Sequence, residues 1–239
     1  MRALWLLILL AAPAWGGCEI SLLEAYRSSR AVFTQTIPNT CGPIAVTNGV
    51  TAALEALGVP LPYEPRAVAL AIKQGYPLVN GLSLGHCADA TRRLLAKSPK
   101  IDFHIELFSA DSRDQTKLPF ERVTQITPEM LQRPHTGYDV GYTLLYGHFV
   151  EDFREHGAHS FLYLGGEGEL GLLADPRSGN AVFPTVLRQK AIRFPGHSEL
   201  FKALVLDPNP LSGVFAYVPQ GLRPTVVKGV RVSVRRLPD

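Results

Sequence analysis

Apolar positions recur at helical spacing in the first part of the chain and alternate at strand spacing in the second. Between Cys41 and Leu57 the residues Ile44, Ala45, Ala53, Leu54 and Leu57 repeat as one helix face would, and Gly58 followed by Pro60 ends the run. Pro43 fits that helix only in its first turn, where its missing N–H costs nothing, so Cys41 is expected at a helix N-terminus. Further helices are predicted over Arg66 to Lys73, behind Pro65, and over Ser83 to Lys97.

From Ile101 the pattern changes. Ile101, Phe103, Ile105 and Leu107 alternate with Asp102, His104 and Glu106, as in a half-buried strand. Asp111 to His135 is polar and irregular, with a short helix expected from Pro128 under a Thr127 cap. Val140 to Tyr146 reads as a buried strand. His159 to Leu164 and Leu170 to Asp175 read as two strands around the turn Gly165-Gly166-Glu167-Gly168-Glu169. Val214 to Val218 and the alternating Val230, Val232 and Val234 supply further strands. Helices first and antiparallel strands later predict an α+β fold. No internal repeat or low-complexity linker divides the chain, so residues 18–239 are expected to form a single domain.

The first 17 residues read differently. Met1-Arg2, an apolar run from Ala3 to Trp15 and then Gly16-Gly17-Cys18 describe a secretory signal peptide over residues 1–17. The apolar run is shorter than the roughly 20 residues a bilayer-spanning helix needs. The protein is therefore expected to be exported, periplasmic or secreted. Gly16-Gly17-Cys18 is also similar to a lipoprotein signal, which makes Cys18 a candidate for lipidation and membrane anchoring; otherwise it simply lies near the mature N-terminus.

Composition narrows the partners. Twenty-four basic residues nearly balance 21 acidic ones and no dense Lys/Arg block occurs, so a nucleic-acid partner has no electrostatic footprint. Three cysteines are too few for a disulfide scaffold, although Cys18 and Cys87 would be free to pair after export.

Cys41 stands apart because a thiol becomes a nucleophile only as thiolate, and a helix N-terminus favours that form. Such a nucleophile needs a base, and the base an orienting group. His159 and Asp175 lie symmetrically about residue 167, the centre of the Gly-rich turn. In a regular hairpin they would stand directly opposite, with Cβ atoms about 4.5–5.5 Å apart. A one-residue slip would turn one of them to the other face.

Gln35-x5-Cys41-Gly42, then His159 opening an apolar strand, then Leu173-Ala174-Asp175-Pro176-x-x-Gly179 resemble the papain-like cysteine peptidases. The closest resemblance is to the family that removes double-glycine leaders from bacteriocins, and to its exported relatives. It spans roughly residues 33 to 185 by motif matching. The resemblance implies a papain-like fold, with the Cys-bearing helix packed on an antiparallel sheet bearing His and Asp. It further implies Cys41 as nucleophile, His159 as general base and acid, and Asp175 as orienting group. The Gln35 amide and the Cys41 N–H would form the oxyanion hole. The expected function is hydrolysis of a peptide or small amide substrate through a thioester on Cys41.

Gln35 to Leu57, Gly81-Leu82-Ser83-Leu84 and Glu155-His156-Gly157-Ala158-His159 also resemble phytochelatin synthase, which passes a γ-glutamylcysteinyl thioester to glutathione. The chain departs from that enzyme after Asp175, where Pro176-Arg177-Ser178-Gly179 stands in place of an aromatic and Pro-Pro segment, and it lacks a cysteine-rich tail. Hydrolysis is therefore preferred to transpeptidation. A catalytically idle envelope binding module is the third reading, and the presence of all four site residues speaks against it.

Other groups carry less. His148, His156 and His159 beside Glu151 have no second ligand pair at a familiar zinc spacing, so no metal and no cofactor is expected. His86, Cys87 and Asp89 share a helix with Leu84, Leu94 and Leu95 and read as core. Gly165-Gly166-x-Gly168 lies between strands and opens no helix, which excludes a phosphate cradle. Arg92-Arg93 and Arg235-Arg236 read as solvated surface charge. Asp111 to Thr127 is a candidate flap over the cleft, with the composition of any exposed loop.

Overall fold

A computed structural model describes residues 21–76, 83–109, 121–123, 127–151, 154–193, 200–208 and 224–238. The expected signal peptide, Cys18 and the strand at Val214 to Val218 lie outside the described residues. In chain order the elements are α1 (Leu22–Ser28), α2 (Cys41–Ala56), α3 (Pro65–Gly75), α4 (Leu84–Leu95), β1 (Ile101–Ser109), β2 (Glu121–Val123), α5 (Pro128–Gln132), β3 (Val140–Glu151), β4 (Arg154–Glu167), β5 (Leu170–Ala174), β6 (Val182–Arg193), β7 (Leu200–Pro208) and β8 (Pro224–Arg236). A 3₁₀ turn, Pro176–Ser178, follows β5. α1 to α4 precede the sheet and only the short α5 falls among its strands, and the fold is mixed α+β, as expected. No helix among the described residues is long and apolar enough to cross a membrane.

The helix starts follow from local chemistry. Glu64 caps α3 through the backbone N–H groups of Arg66 and Ala67, with Pro65 at the first position. Ser83 caps α4 by accepting from His86 N–H, and Thr127 caps α5 by accepting from Met130 N–H. α2 is buried on nearly every side, because α1, α3 and α4 surround it and the sheet lies beneath. Its Gly49 lets it settle onto β3 and β4. A Cβ there would lie 2.6 Å from Tyr142 Cε2 and 3.0 Å from Leu162 Cδ2.

The strands form one sheet in the order β2-β1-β8-β3-β4-β5-β6-β7, antiparallel throughout except for β1 with β2. β7 also pairs back onto the start of β8, through Leu204 with Val226 and Val205 with Thr225. This closes β8, β3, β4, β5, β6 and β7 into a ring. Alternation then creates two cores. Leu144, Leu162, Leu164, Ala174, Val230, Val232 and Val234 face the helices. Leu145, Phe161, Tyr163, Leu173, Leu187, Leu204 and Val226, drawn from all six ring strands, form the second cluster.

The alternation predicted for β1 holds, with one correction: Glu106 is buried. It pairs with Arg231 at 3.2 Å and lies 3.1 Å from His135 Nε2, so the loop before β3 covers it. Arg92 and Arg93 are likewise more than solvated charge. Both pair with the buried Asp89, at 2.8 and 2.7 Å, and Asp89 also accepts from Tyr76 OH. Cys87 is fully buried in α4, as the core reading expects. Of the candidate flap, residues 111–120 and 124–126 lie outside the described residues, and Glu121–Val123 forms β2.

Candidate active site

Cys41 is the first residue of α2, at the end of the helix where Pro43 is tolerated. Asn39, at φ 60°, turns the chain sharply just before it. The Thr40 hydroxyl donates back to Ile37 O at 2.5 Å instead of capping α2, and no acidic residue stands in the first turn. The first N–H groups of α2 are therefore left facing the thiol end of the helix, where a negative charge is favoured.

The loop carrying Gln35 is held from two sides. Asn48, buried on α2, donates to Phe33 O at 2.9 Å and accepts from Phe33 N–H at 3.3 Å, as a neighbouring strand would. Gln35 N–H donates to Pro176 O at 2.6 Å, which ties the loop before Cys41 to the loop after Asp175. The Gln35 side chain donates from Nε2 to Ile37 O at 3.1 Å, while its Oε1 is buried and meets no donor among the described residues.

His159 and Asp175 do come together, but by a different register from the one predicted. β4 and β5 pair Leu162 with Ala174 and Tyr163 with Leu173, with an irregularity between Tyr163 and Gly166. Continuing that register by one residue sets Phe161, not His159, opposite Asp175. His159 is thus the diagonal neighbour, two residues along. A shift of two keeps both side chains on one face, whereas a shift of one would have separated them. Diagonal pairs lie farther apart than direct ones, yet stay within reach of a long side chain. His159 Nε2 is 2.9 Å from Asp175 Oδ1, with both side chains buried. Arg177 N–H donates to the same oxygen at 2.8 Å, because Asp175 caps the 3₁₀ turn. That turn ends at Gly179, at φ 58°, where a Cβ would also lie 2.8 Å from Thr34 Oγ1. The last glycine of the Asp-Pro-x-x-Gly motif is therefore required by backbone and packing alike.

With Nε2 engaged by Asp175, the ring's other nitrogen remains for Cys41, whose thiol hydrogen-bonds His159. Burial is the largest influence on Cys41 and pushes its thiol up. The His159 hydrogen bond and charge, with the Ser160 and Gly42 N–H groups, outweigh it and hold the pKa below that of an ordinary cysteine. For His159, burial works against the imidazolium, but the hydrogen bonds to Asp175 and Cys41 and their charges prevail, so its pKa lies above the ordinary value. The two shifts reinforce each other and favour a thiolate–imidazolium pair.

Cys41, His159 and Asp175 thus meet, and Gln35 lies in the loop bound to them. Sequence reasoning missed Asn48 and the Ser160 N–H. An Asn in the middle of a mostly apolar helix was a readable signal for the first, but the second is a backbone group that tertiary packing alone brings to the sulfur. His86 stacks on Tyr76, with ring centroids 4.6 Å apart, and takes no part in the site. The side chains of His148 and His156 lie outside the described residues. Among the described residues no group of three or more His, Cys, Asp or Glu side chains is arranged to hold a metal. Compared with known proteins, the chain matches no family model, no curated protein and no solved structure.

Proposed function

We propose that the chain is an exported papain-like thiol hydrolase that cleaves a peptide or related amide bond. The observation that carries this reading is the buried relay in which Asp175 holds His159 at 2.9 Å and His159 bonds the thiol at the N-terminus of α2. Cys41 thiolate attacks the carbonyl carbon, and the oxyanion is received by the Cys41 N–H and the Gln35 amide. One Gln35 N–H is engaged by Ile37 O, which leaves the other for the oxyanion. Imidazolium His159 then gives its proton to the leaving amine, which departs as the thioester forms. Water, deprotonated by His159, attacks the thioester and frees the acid and the thiol. Asp175 keeps the ring in the tautomer with hydrogen on Nε2 and stabilises its charged form. An oxyanion donor of this kind is worth about 10²–10³ in rate.

The test is mass spectrometry of a synthetic peptide mixture incubated with the protein, with Cys41→Ala and with His159→Ala, alongside iodoacetamide labelling of Cys41. Products that require both residues, and alkylation faster than that of a simple thiol, are expected. Cleavage that persists in Cys41→Ala, or alkylation unaffected by His159→Ala, would refute the reading.

A further inference from the structure

A groove of about 320 Å³ lies between the loop from Val32 to Thr40, which leads into Cys41, and the first turns of α3. Thr40, immediately before Cys41, and Ile44, one helical turn beyond it, line one wall, so the groove is bounded by the residues that flank Cys41 in the chain, though Cys41 itself is not part of the lining. Arg66, Ala69 and Leu70, spaced to share one face of α3, line the other. Among the described residues, two of the four exposed large hydrophobic side chains, Ile37 and Leu70, stand on its rim at 40% and 45% exposure. Apolar surface left open at a concave site marks a place where a ligand is received. The volume suits one or two side chains rather than a long segment.

The groove has one charge. The Arg66 guanidinium lies over the Phe33 ring, 5.9 Å from its centre, and pairs with no carboxylate among the described residues. Glu64, the nearest acid in sequence, is engaged with the backbone N–H groups at the start of α3. Packing on an aromatic face holds the fork of donors at the rim without using its hydrogen bonds, which suits a planar carboxylate.

We propose that this groove is a substrate subsite for an apolar side chain adjoining a carboxylate, with Ile44, Ala69 and Leu70 taking the apolar group and Arg66 the acid. The inference deepens the hydrolase reading and rests on it for the meaning of the neighbouring thiol. The carboxylate comes either from an acidic side chain or from a peptide C-terminus, and both present the same group to Arg66.

The experiment measures binding by ligand-observed NMR to the Cys41→Ala protein, which cannot turn the probes over. The probes are N-acetyl-Leu-Glu amide, N-acetyl-Leu-Gln amide, N-acetyl-Leu-Lys amide and N-acetyl-Leu-Gln with a free C-terminus. An exposed ion pair is worth up to about fivefold in affinity, so at least one acidic probe should bind about that much tighter than the Gln amide. The Lys probe should bind weakest. Whichever acidic probe wins identifies the source of the carboxylate. Added salt and Arg66→Gln should each erase the preference, and Leu70→Ser should weaken all four probes alike. Equal binding of the acidic, neutral and basic probes, or no binding of any, would overturn the subsite. Cleavage by the parent protein without charge discrimination would remove the subsite and leave the hydrolase. Charge-selective binding with no Cys41-dependent cleavage would do the reverse.

Discussion

Asp175→Asn isolates the charge of the relay from its geometry. The asparagine oxygen can still accept from His159 Nε2–H and Arg177 N–H, which now donate to Asp175 Oδ1 over 2.9 and 2.8 Å. What it removes is the negative charge that helps hold His159 above its ordinary pKa. A hydrogen bond to a charged acceptor contributes about 1.5–3 kcal/mol, against about 0.5–1.5 for a neutral one. The difference of roughly 1–1.5 kcal/mol corresponds to about a tenfold loss in the thiolate–imidazolium population. His159 then gives up its proton more readily, Cys41 loses part of its cation, and the thiol pKa rises. Iodoacetamide alkylation of Cys41 followed across pH reads this directly. In the parent protein the rate should begin to climb below the range of ordinary cysteines; in Asp175→Asn the climb should move to higher pH, with the two curves converging once both thiols are ionised. Asp175→Ala leaves the buried His159 Nε2–H and the part-buried Arg177 N–H without their acceptor, which costs about 1–3 kcal/mol of stability and frees the ring. About a hundredfold slower alkylation at neutral pH is expected there. An unchanged profile in Asp175→Asn, or a uniform drop at every pH with no shift, would refute the account of the relay.

Three further outcomes follow from packing and burial in the fold. Gly49→Ala should destabilise the protein by about 1–3 kcal/mol, read as a lower urea midpoint, because the new methyl meets Tyr142 2.6 Å away and α2 must lift from the sheet. Asn48→Ala removes both bonds to the Phe33 backbone and should cost about 1–3 kcal/mol in the same assay while slowing Cys41 alkylation, since the loop before the thiol loses its tie. His135 is held below its ordinary pKa by burial, then by Arg231 and His104, against Glu106. The unfolded chain therefore binds that proton more readily, and stability should fall as pH drops from the ordinary histidine range toward the lowered value. His135→Gln should flatten that slope in pH-dependent thermal unfolding.

The helical part was readable because its signals are local. Pro43, Pro65, Ser83 and Thr127 each mark a helix start through a hydrogen bond made or forgone within one turn. α1 was missed because seven residues give too little periodicity to detect. β6 and β7 were missed for another reason. Their sequences, VFPTVLRQKAIR and LFKALVLDP, do not alternate cleanly, because their order comes from pairing with each other, with β5 and with β8. The His159–Asp175 contact was anticipated through a hairpin symmetry that the irregularity after Tyr163 breaks. The expectation survived because the displacement was an even number of residues. Parity, not distance from the turn, was the property that mattered. The two core clusters could not be inferred, since closure of the ring depends on β8 pairing with β7 at one end and with β1 along the rest.

The two described cysteines show why position in the fold decides thiol chemistry. Both are driven upward by burial, and for Cys87 nothing opposes it: its neighbours are the apolar faces of α4 and α2, and the charge of Cys41 adds to the shift. Cys41 is also penalised by burial, yet it ends below an ordinary thiol because the hydrogen bond and charge of His159 and the Ser160 and Gly42 N–H groups at the helix start converge on it. None of those partners would suffice if the ring could swing away. The ring is fixed by Asp175, Asp175 by the 3₁₀ turn that Gly179 permits, and that turn by the bond from Gln35 to Pro176 O. The lowered pKa at residue 41 is therefore a property of contacts between three segments of the chain, 35–42, 159–160 and 175–179. Loosening any one of them should return the thiol toward the raised pKa that burial gives Cys87.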